Sequence, residues 1–263
     1  MKRRHFILAS MTAALMIGMP LAASADTLDT IKARGKLLAA IDLGSPPFGM
    51  TDDKLQPVGS EVESAKLLAD YLGVPLEIVQ VTSPNRIPFL LTGKADVVIA
   101  SLSISDERKK VIDFADPHGV IQVIVAAPKG TEIKTIEDLT GKEVATTRGT
   151  TNDNEATKQL TKSTITRYDD DATLVTALVS GQAGIMASAP QIMNAANERR
   201  KNDPLETKIV LKTNPYAVGV RKEDTALKEA INKWVAQDLK NGKLNEIYKK
   251  YNNVELPAEM PKG

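Results

Sequence analysis

The chain has 263 residues but no cysteine, two histidines, one tryptophan and only 4% aromatic residues. Without cysteine there is no thiol nucleophile, no thiolate metal site and no disulfide framework, so the fold must rest on its apolar core. His5 lies in the first segment, which leaves His118 as the one histidine beyond it. That count argues against a histidine-rich zinc site and against a serine triad built on histidine. No metal or cofactor is expected. An excess of one charge is missing too, since 34 lysines and arginines face 33 acids and the charges are scattered. The basic field that nucleic-acid binding requires is therefore absent.

Long hydrophobic runs are also lacking beyond the first residues. Lys2, Arg3 and Arg4 precede an apolar stretch over residues 6–21, and Ala23-Ser24-Ala25 supplies small residues before Asp26. A basic head, a short apolar middle and a small-residue exit describe a cleaved export signal over residues 1–25. The alternative, a membrane anchor, is opposed by Ser10, Thr12, Gly18 and Pro20, which interrupt a run shorter than the roughly 20 residues of a span. Loss of the three basic residues takes the formal charge from +1 to −2. The expected location is the periplasm. About 238 residues remain, enough for one or two domains with a large core.

That remainder alternates short β-like runs with amphipathic helical stretches, which predicts an α/β architecture. Strands are expected over residues 36–41, 76–79, 95–100 and 120–126, with a second series of strands and helices beginning near residue 142. The lack of strict alternation within these runs suggests parallel sheets covered on both faces. Ser60-x-x-Glu63 suggests a capping box opening a helix whose Val62, Ala65, Ala69 and Leu72 share a face. From Asp224 onward Leu227, Ile231, Trp234, Val235 and Leu239 form an apolar stripe for core packing. No low-complexity linker separates the two series. Two lobes joined by strands, with a ligand between them, are the expectation.

Several segments carry polar groups suited to an anion. Ser101, Ser103 and Ser105 follow an apolar strand and precede Arg108. Strand carboxyl ends are where open α/β sheets place ligands, and a guanidinium grips a carboxylate in two parallel hydrogen bonds. The plain alternative pairs Arg108 with Asp106 or Asp113 at the surface. Thr150 and Thr151 follow Gly149, where helix-opening N–H groups and hydroxyls receive an anion, or where a threonine merely caps. Arg86 begins a helix, a poor place for a cation. Ser45 lies at another strand end, with Phe48 beside it as a candidate core residue.

Taken in order, these segments resemble the polar amino acid-binding proteins that serve ABC transporters (bacterial solute-binding proteins, family 3). The resemblance runs through Pro46-Pro47-Phe48, Gly59, Gly93-Lys94-Ala95-Asp96, Ser101-Leu102-Ser103-Ile104, Glu107-Arg108, residues 113–117, Gly149-Thr150-Thr151 and residues 218–222. It implies a two-lobed type II periplasmic binding protein fold with hinged lobes. Residues 26–119 begin the first lobe, 120–214 form the second, and 215–263 return to the first as C-terminal helices.

The same resemblance gives Arg108 the ligand α-carboxylate, assisted by Ser101, Ser103, Thr150 and Thr151. Arg86 is placed as in the branch that takes glutamate or aspartate. Asp42 stands where relatives that bind lysine or arginine carry an acid. The family's usual aspartate for the ligand ammonium falls at Ala189, so either Asp42 or Glu61 substitutes or the ligand has no ammonium. Ser45, Asp42, Arg86 and Glu61 would set ligand choice. The implied partners are a small polar amino acid or carboxylate and a membrane ABC permease, with the protein a monomer. A periplasmic dehydratase on the same fold and a receptor feeding a sensor are the competing readings.

Overall fold

The computed structural model describes residues 26–261, so the expected export signal lies outside the described residues. The first half of the chain builds α1 (Thr27–Arg34), β1 (Leu37–Ile41), β2 (Met50–Thr51), β3 (Pro57–Val58), α2 (Ser60–Leu72), β4 (Leu76–Gln80), α3 (Arg86–Leu91), β5 (Val97–Val98), α4 (Asp106–Lys109) and β6 (Asp113–Phe114). It continues through β7 (Gly119–Pro128), β8 (Glu143–Thr147), α5 (Thr151–Gln159), β9 (Thr164–Tyr168), α6 (Asp171–Ser180), β10 (Met186–Ser188), α7 (Pro190–Asn197) and β11 (Leu205–Tyr216). The chain then returns as β12 (Gly219–Val220), α8 (Thr225–Lys240) and α9 (Lys243–Asn252).

Two five-stranded sheets result, one ordered β4-β1-β5-β12-β6 and the other β11-β7-β10-β8-β9. Each is the centre of one α/β lobe. The strands at the heart of each sheet run parallel, β1 with β4 and β5, and β8 with β9 and β10. The sheets are nevertheless mixed. Strand β12 is antiparallel to β5 and β6, and β7 is antiparallel to β10 and β11. The reason is the crossing: β7 carries the chain out of the first lobe and β11 carries it back, so these long strands pair in opposite directions.

The crossing is tightly packed. Gly119 faces Tyr216 in the β7–β11 register, and a Cβ at residue 119 would lie 2.0 Å from the Tyr216 ring. Only glycine lets that ring lie against the backbone. At the far end of the chain, Leu227, Ile231, Trp234 and Val235 of α8 are buried with Ile31 of α1 and Val62 of α2. Each such side chain contributes roughly 1.5–3 kcal/mol on burial. Thr27 donates its hydroxyl to Asp224 at 2.6 Å, and Arg221 donates to Thr27 at 2.6 Å. The start of α1 is thereby fixed to the segment that leads into α8.

Two local expectations need correction. The helix beginning at Ser60 is not capped by Ser60 and Glu63. Its N-cap is Gly59, at φ 132°, with no side-chain cap bond, while Glu63 instead receives Lys250 and Tyr251 of α9. A Cβ at residue 59 would lie 2.4 Å from the Phe48 carbonyl oxygen, so the close approach of the loop dictates glycine here. The strand expected over residues 95–100 is ladder-paired only at Val97–Val98. Ile99 still donates its N–H to the Ala40 carbonyl of β1 at 3.1 Å, and the left-handed turn comes at Ser101.

Candidate functional site

Between the lobes lies a narrow cavity of about 30 Å³. Eight of the ten residues expected to contact ligand line it: Ser45, Arg86, Ser101, Ser103, Arg108, Thr150, Thr151 and Ala189. They come from strand ends and helix starts of both sheets, where loop backbone and unpaired helix amides are available.

Arg108 is 9% exposed. Its Nη1 donates to the Ser103 carbonyl at 2.8 Å, and its Nη2 reaches across the cleft to the Gly149 carbonyl at 3.3 Å. Neither Asp106 nor Asp113 pairs with it; Asp113 takes Lys228 instead. Burial and the neighbouring Arg86 charge bring the Arg108 guanidinium down to about 9, which leaves it charged at neutral pH. Arg86 is buried as well, donating from Nε to the Ser83 carbonyl at 3.1 Å and from Nη1 to the Ala100 carbonyl at 2.9 Å. Burial lowers its proton affinity, against the charges of Asp42, Asp171 and Glu61. Among the described residues, neither arginine has a carboxylate within ion-pair distance. Arg108 is held by neutral carbonyls, and Arg86 by carbonyls with the charges of Asp42, Asp171 and Glu61 farther off; a buried charge without a partner in contact is costly unless one joins it.

The hydroxyls divide by role. Thr150 is the N-cap of α5, accepting from the Asp153 N–H at 3.1 Å and donating to the Thr147 carbonyl at 2.7 Å. Its hydroxyl is committed to the helix. Thr151, one residue on, faces Ser103 across the cleft at 3.1 Å between hydroxyl oxygens. Ser101 sits at φ 46°, in the left-handed region that a side chain disfavours. Its N–H donates to Glu61 at 2.8 Å, which holds that turn.

Glu61 and Asp42 do not line the cavity. Glu61 lies behind Ser101 and faces His118 at 3.4 Å. Asp42 accepts from the Gly44 N–H and the Ser83 hydroxyl, both at 3.0 Å. Burial pushes the Asp42 carboxyl up, while the Arg86 charge pulls the other way. Phe48 is 2% exposed and belongs to the core, packing edge-on to Tyr216, yet it also reaches the cavity wall.

This architecture matches a known group over most of its length. Residues 37–254 fit the bacterial extracellular solute-binding proteins, family 3. The chain belongs to that family. It is 31% identical over 259 residues to the L-cystine-binding protein of Escherichia coli, covering 96% of this chain and 97% of the relative. The ABC transporter glutamine-binding protein of Bacillus subtilis is 30% identical over 239 residues, covering 89% and 87%. Among solved structures, a mutant of ArgBP from T. maritima aligns with a TM-score of 0.79 at 36% identity, covering 86% of this chain and 99% of that one. These relatives are binding proteins, and this family 3 protein is one of them rather than a dehydratase.

In this solute-binding protein the sequence reading missed the cavity-lining Ser83, Ile121, Asn152 and Ile192, and one charged candidate, Asp171. It opens α6, is 6% exposed, and its carboxylate accepts the hydroxyls of Ser45 and Thr147. Burial pushes this carboxyl up, and the Arg86 charge opposes the shift. The available signal was the run Asp169-Asp170-Asp171 directly after a strand. Among the described residues, no group of histidines and acids is arranged to hold a metal ion, and no helix is long and apolar enough to cross a membrane.

Proposed function

We propose that this protein is the periplasmic binding component of an ABC importer and captures a polar amino acid of the acidic type by lobe closure. The observation that carries this reading is the pair of buried guanidinium groups, Arg108 and Arg86, which line one cavity without a carboxylate partner among the described residues. A ligand with two carboxylates supplies each guanidinium with a carboxylate in direct contact.

In this mechanism Arg108, Ser103 and Thr151 grip the α-carboxylate, aided by the unpaired amides that open α5. Ser101 adds its hydroxyl, its turn fixed by Glu61. Arg86 takes the side-chain carboxylate, with Asp42 beneath it moderating its charge. Thr150 contributes by setting the helix start. No bond is made or broken. Closure joins surfaces of both lobes into one face for the permease, so the loaded protein is the form recognised.

A carboxylate ligand without nitrogen is a second reading, favoured by the methyl group that Ala189 presents to the cavity. Thermal-shift measurement on protein unfolded and refolded to strip ligand tests the two together. A ligand at about a thousand times its dissociation constant stabilises by roughly 4 kcal/mol. Glutamate or aspartate should raise the midpoint most. A panel in which only basic or apolar amino acids do so would overturn the acidic preference, and hits confined to nitrogen-free acids would favour the second reading.

A further inference from the structure

We infer that Asp171 is the residue that receives the ligand's ammonium group, and that it makes this cleft select amino acids over plain dicarboxylates. The inference rests on the carboxylate-binding reading above and adds the third contact to it. Asp171 is the only acid lining the cavity among the described residues. Asp42 and Glu61 lie outside the lining.

Helix capping does not explain Asp171. The N-cap of α6 is Asp170, whose carboxylate accepts the Thr173 N–H at 2.7 Å. Asp169 faces Arg148 at 3.3 Å. Of three consecutive acids, one caps, one turns to the surface, and the third is buried in the cleft without a cation within ion-pair distance among the described residues. A buried carboxylate in that condition is as costly as the two arginines opposite it.

The local chemistry suits an ammonium donor. A carboxylate has about four acceptor positions, and Ser45 and Thr147 use one on each oxygen. Ser45 gives its hydroxyl hydrogen to Asp171, so its own lone pairs stay available to an N–H group from the cavity it lines. Charge completes the match. Two guanidinium groups and one carboxylate face a ligand with two carboxylates and one ammonium. The methyl of Ala189 leaves room without supplying charge.

Calorimetric titration with glutamate and with glutarate, which lacks only the ammonium, tests this in the wild type and in Asp171→Asn. The wild type should prefer glutamate by roughly thirtyfold or more, the scale of a buried charged contact. Asp171→Asn should remove that preference by weakening glutamate binding while leaving glutarate within about threefold. Should Asp171→Asn fail to fold, Asp171→Ser, a smaller side chain well suited to a helix start, repeats the comparison. Equal changes for both ligands would assign Asp171 a structural role and overturn the inference. So would a wild type that binds glutarate as well as glutamate. In both of those outcomes glutarate still binds and the carboxylate reading stands. If neither compound binds the wild type, that reading falls and the ammonium site falls with it.

Discussion

Ser45, in the loop that follows β1, donates its hydroxyl hydrogen to the carboxylate of Asp171 at the start of α6, and so joins the two lobes across the cleft. Beside it the Ala172 N–H donates to the Gly44 carbonyl at 2.8 Å. Ser103 with Thr151, and Arg108 with Gly149, make the corresponding contacts at the other side. The same side chains that line the cavity therefore hold its walls together.

Ser45→Ala removes the hydroxyl from this set and should shift the lobes toward an open arrangement. A hydrogen bond to a charged group is worth about 1.5–3 kcal/mol, enough to change an open–closed ratio by tenfold or more. Small-angle scattering without ligand should give a larger radius of gyration for the variant, and saturating ligand should bring the two proteins together. Identical radii without ligand would show that the bond does not govern closure.

The left-handed turn at Ser101 separates strain from ligand contact. Ser101→Gly should keep or raise the unfolding midpoint, because glycine adopts φ 46° without penalty. Ser101→Val should lose about 1–2 kcal/mol, since a branched side chain is least tolerated there. Chemical denaturation of both variants measures the difference, and a valine variant as stable as the glycine one would contradict the assigned strain.

Glu63 ties α2 to α9. Burial pushes its carboxyl up, but hydrogen bonds from Lys250 and Tyr251 outweigh this and hold it below its ordinary value of 4.5. A carboxyl depressed in the folded state stabilises above its unfolded value, and that stabilisation disappears as pH falls through the folded value. Glu63→Gln should lower neutral-pH stability by about 1 kcal/mol or less, because Lys250 is largely exposed. The gap between variant and wild type should close in acid. A gap that persists unchanged at low pH would contradict the carboxylate's role.

What the sequence made legible follows from what each residue does alone and what it does in company. The apolar runs of β1 and β8 and the stripe of α8 are local signals, because burial selects them wherever the core lies. Strand β11 was not visible, since Glu206, Lys208 and Lys212 interrupt its pattern and it lies at the edge of its sheet, open to solvent on one side. Eight of the residues lining the cavity were legible through their ordered resemblance to a family, while Ser83, Ile121, Asn152 and Ile192 were not. Nor was Asp171. Three consecutive acids read as a solvated helix start, and only the tertiary fold sends one of them inward. Glu61 was legible as a site candidate but not as a support, because its partner, the Ser101 N–H, is backbone 40 residues away.

The central claim is that Arg108 and Arg86 are buried to be paired by ligand carboxylates. Calorimetric titration of glutamate into the wild type, Arg108→Ala and Arg86→Ala tests it most directly. Loss of one partner of a buried charged contact costs about 2–5 kcal/mol, so each variant should bind at least thirtyfold more weakly. Stability without ligand should be retained or increased for Arg108→Ala, whose carbonyl partners are neutral, and reduced for Arg86→Ala, which takes away the charge opposing the burial of Asp42 and Asp171. Arg108→Ala that keeps full glutamate affinity while folding normally would contradict the account.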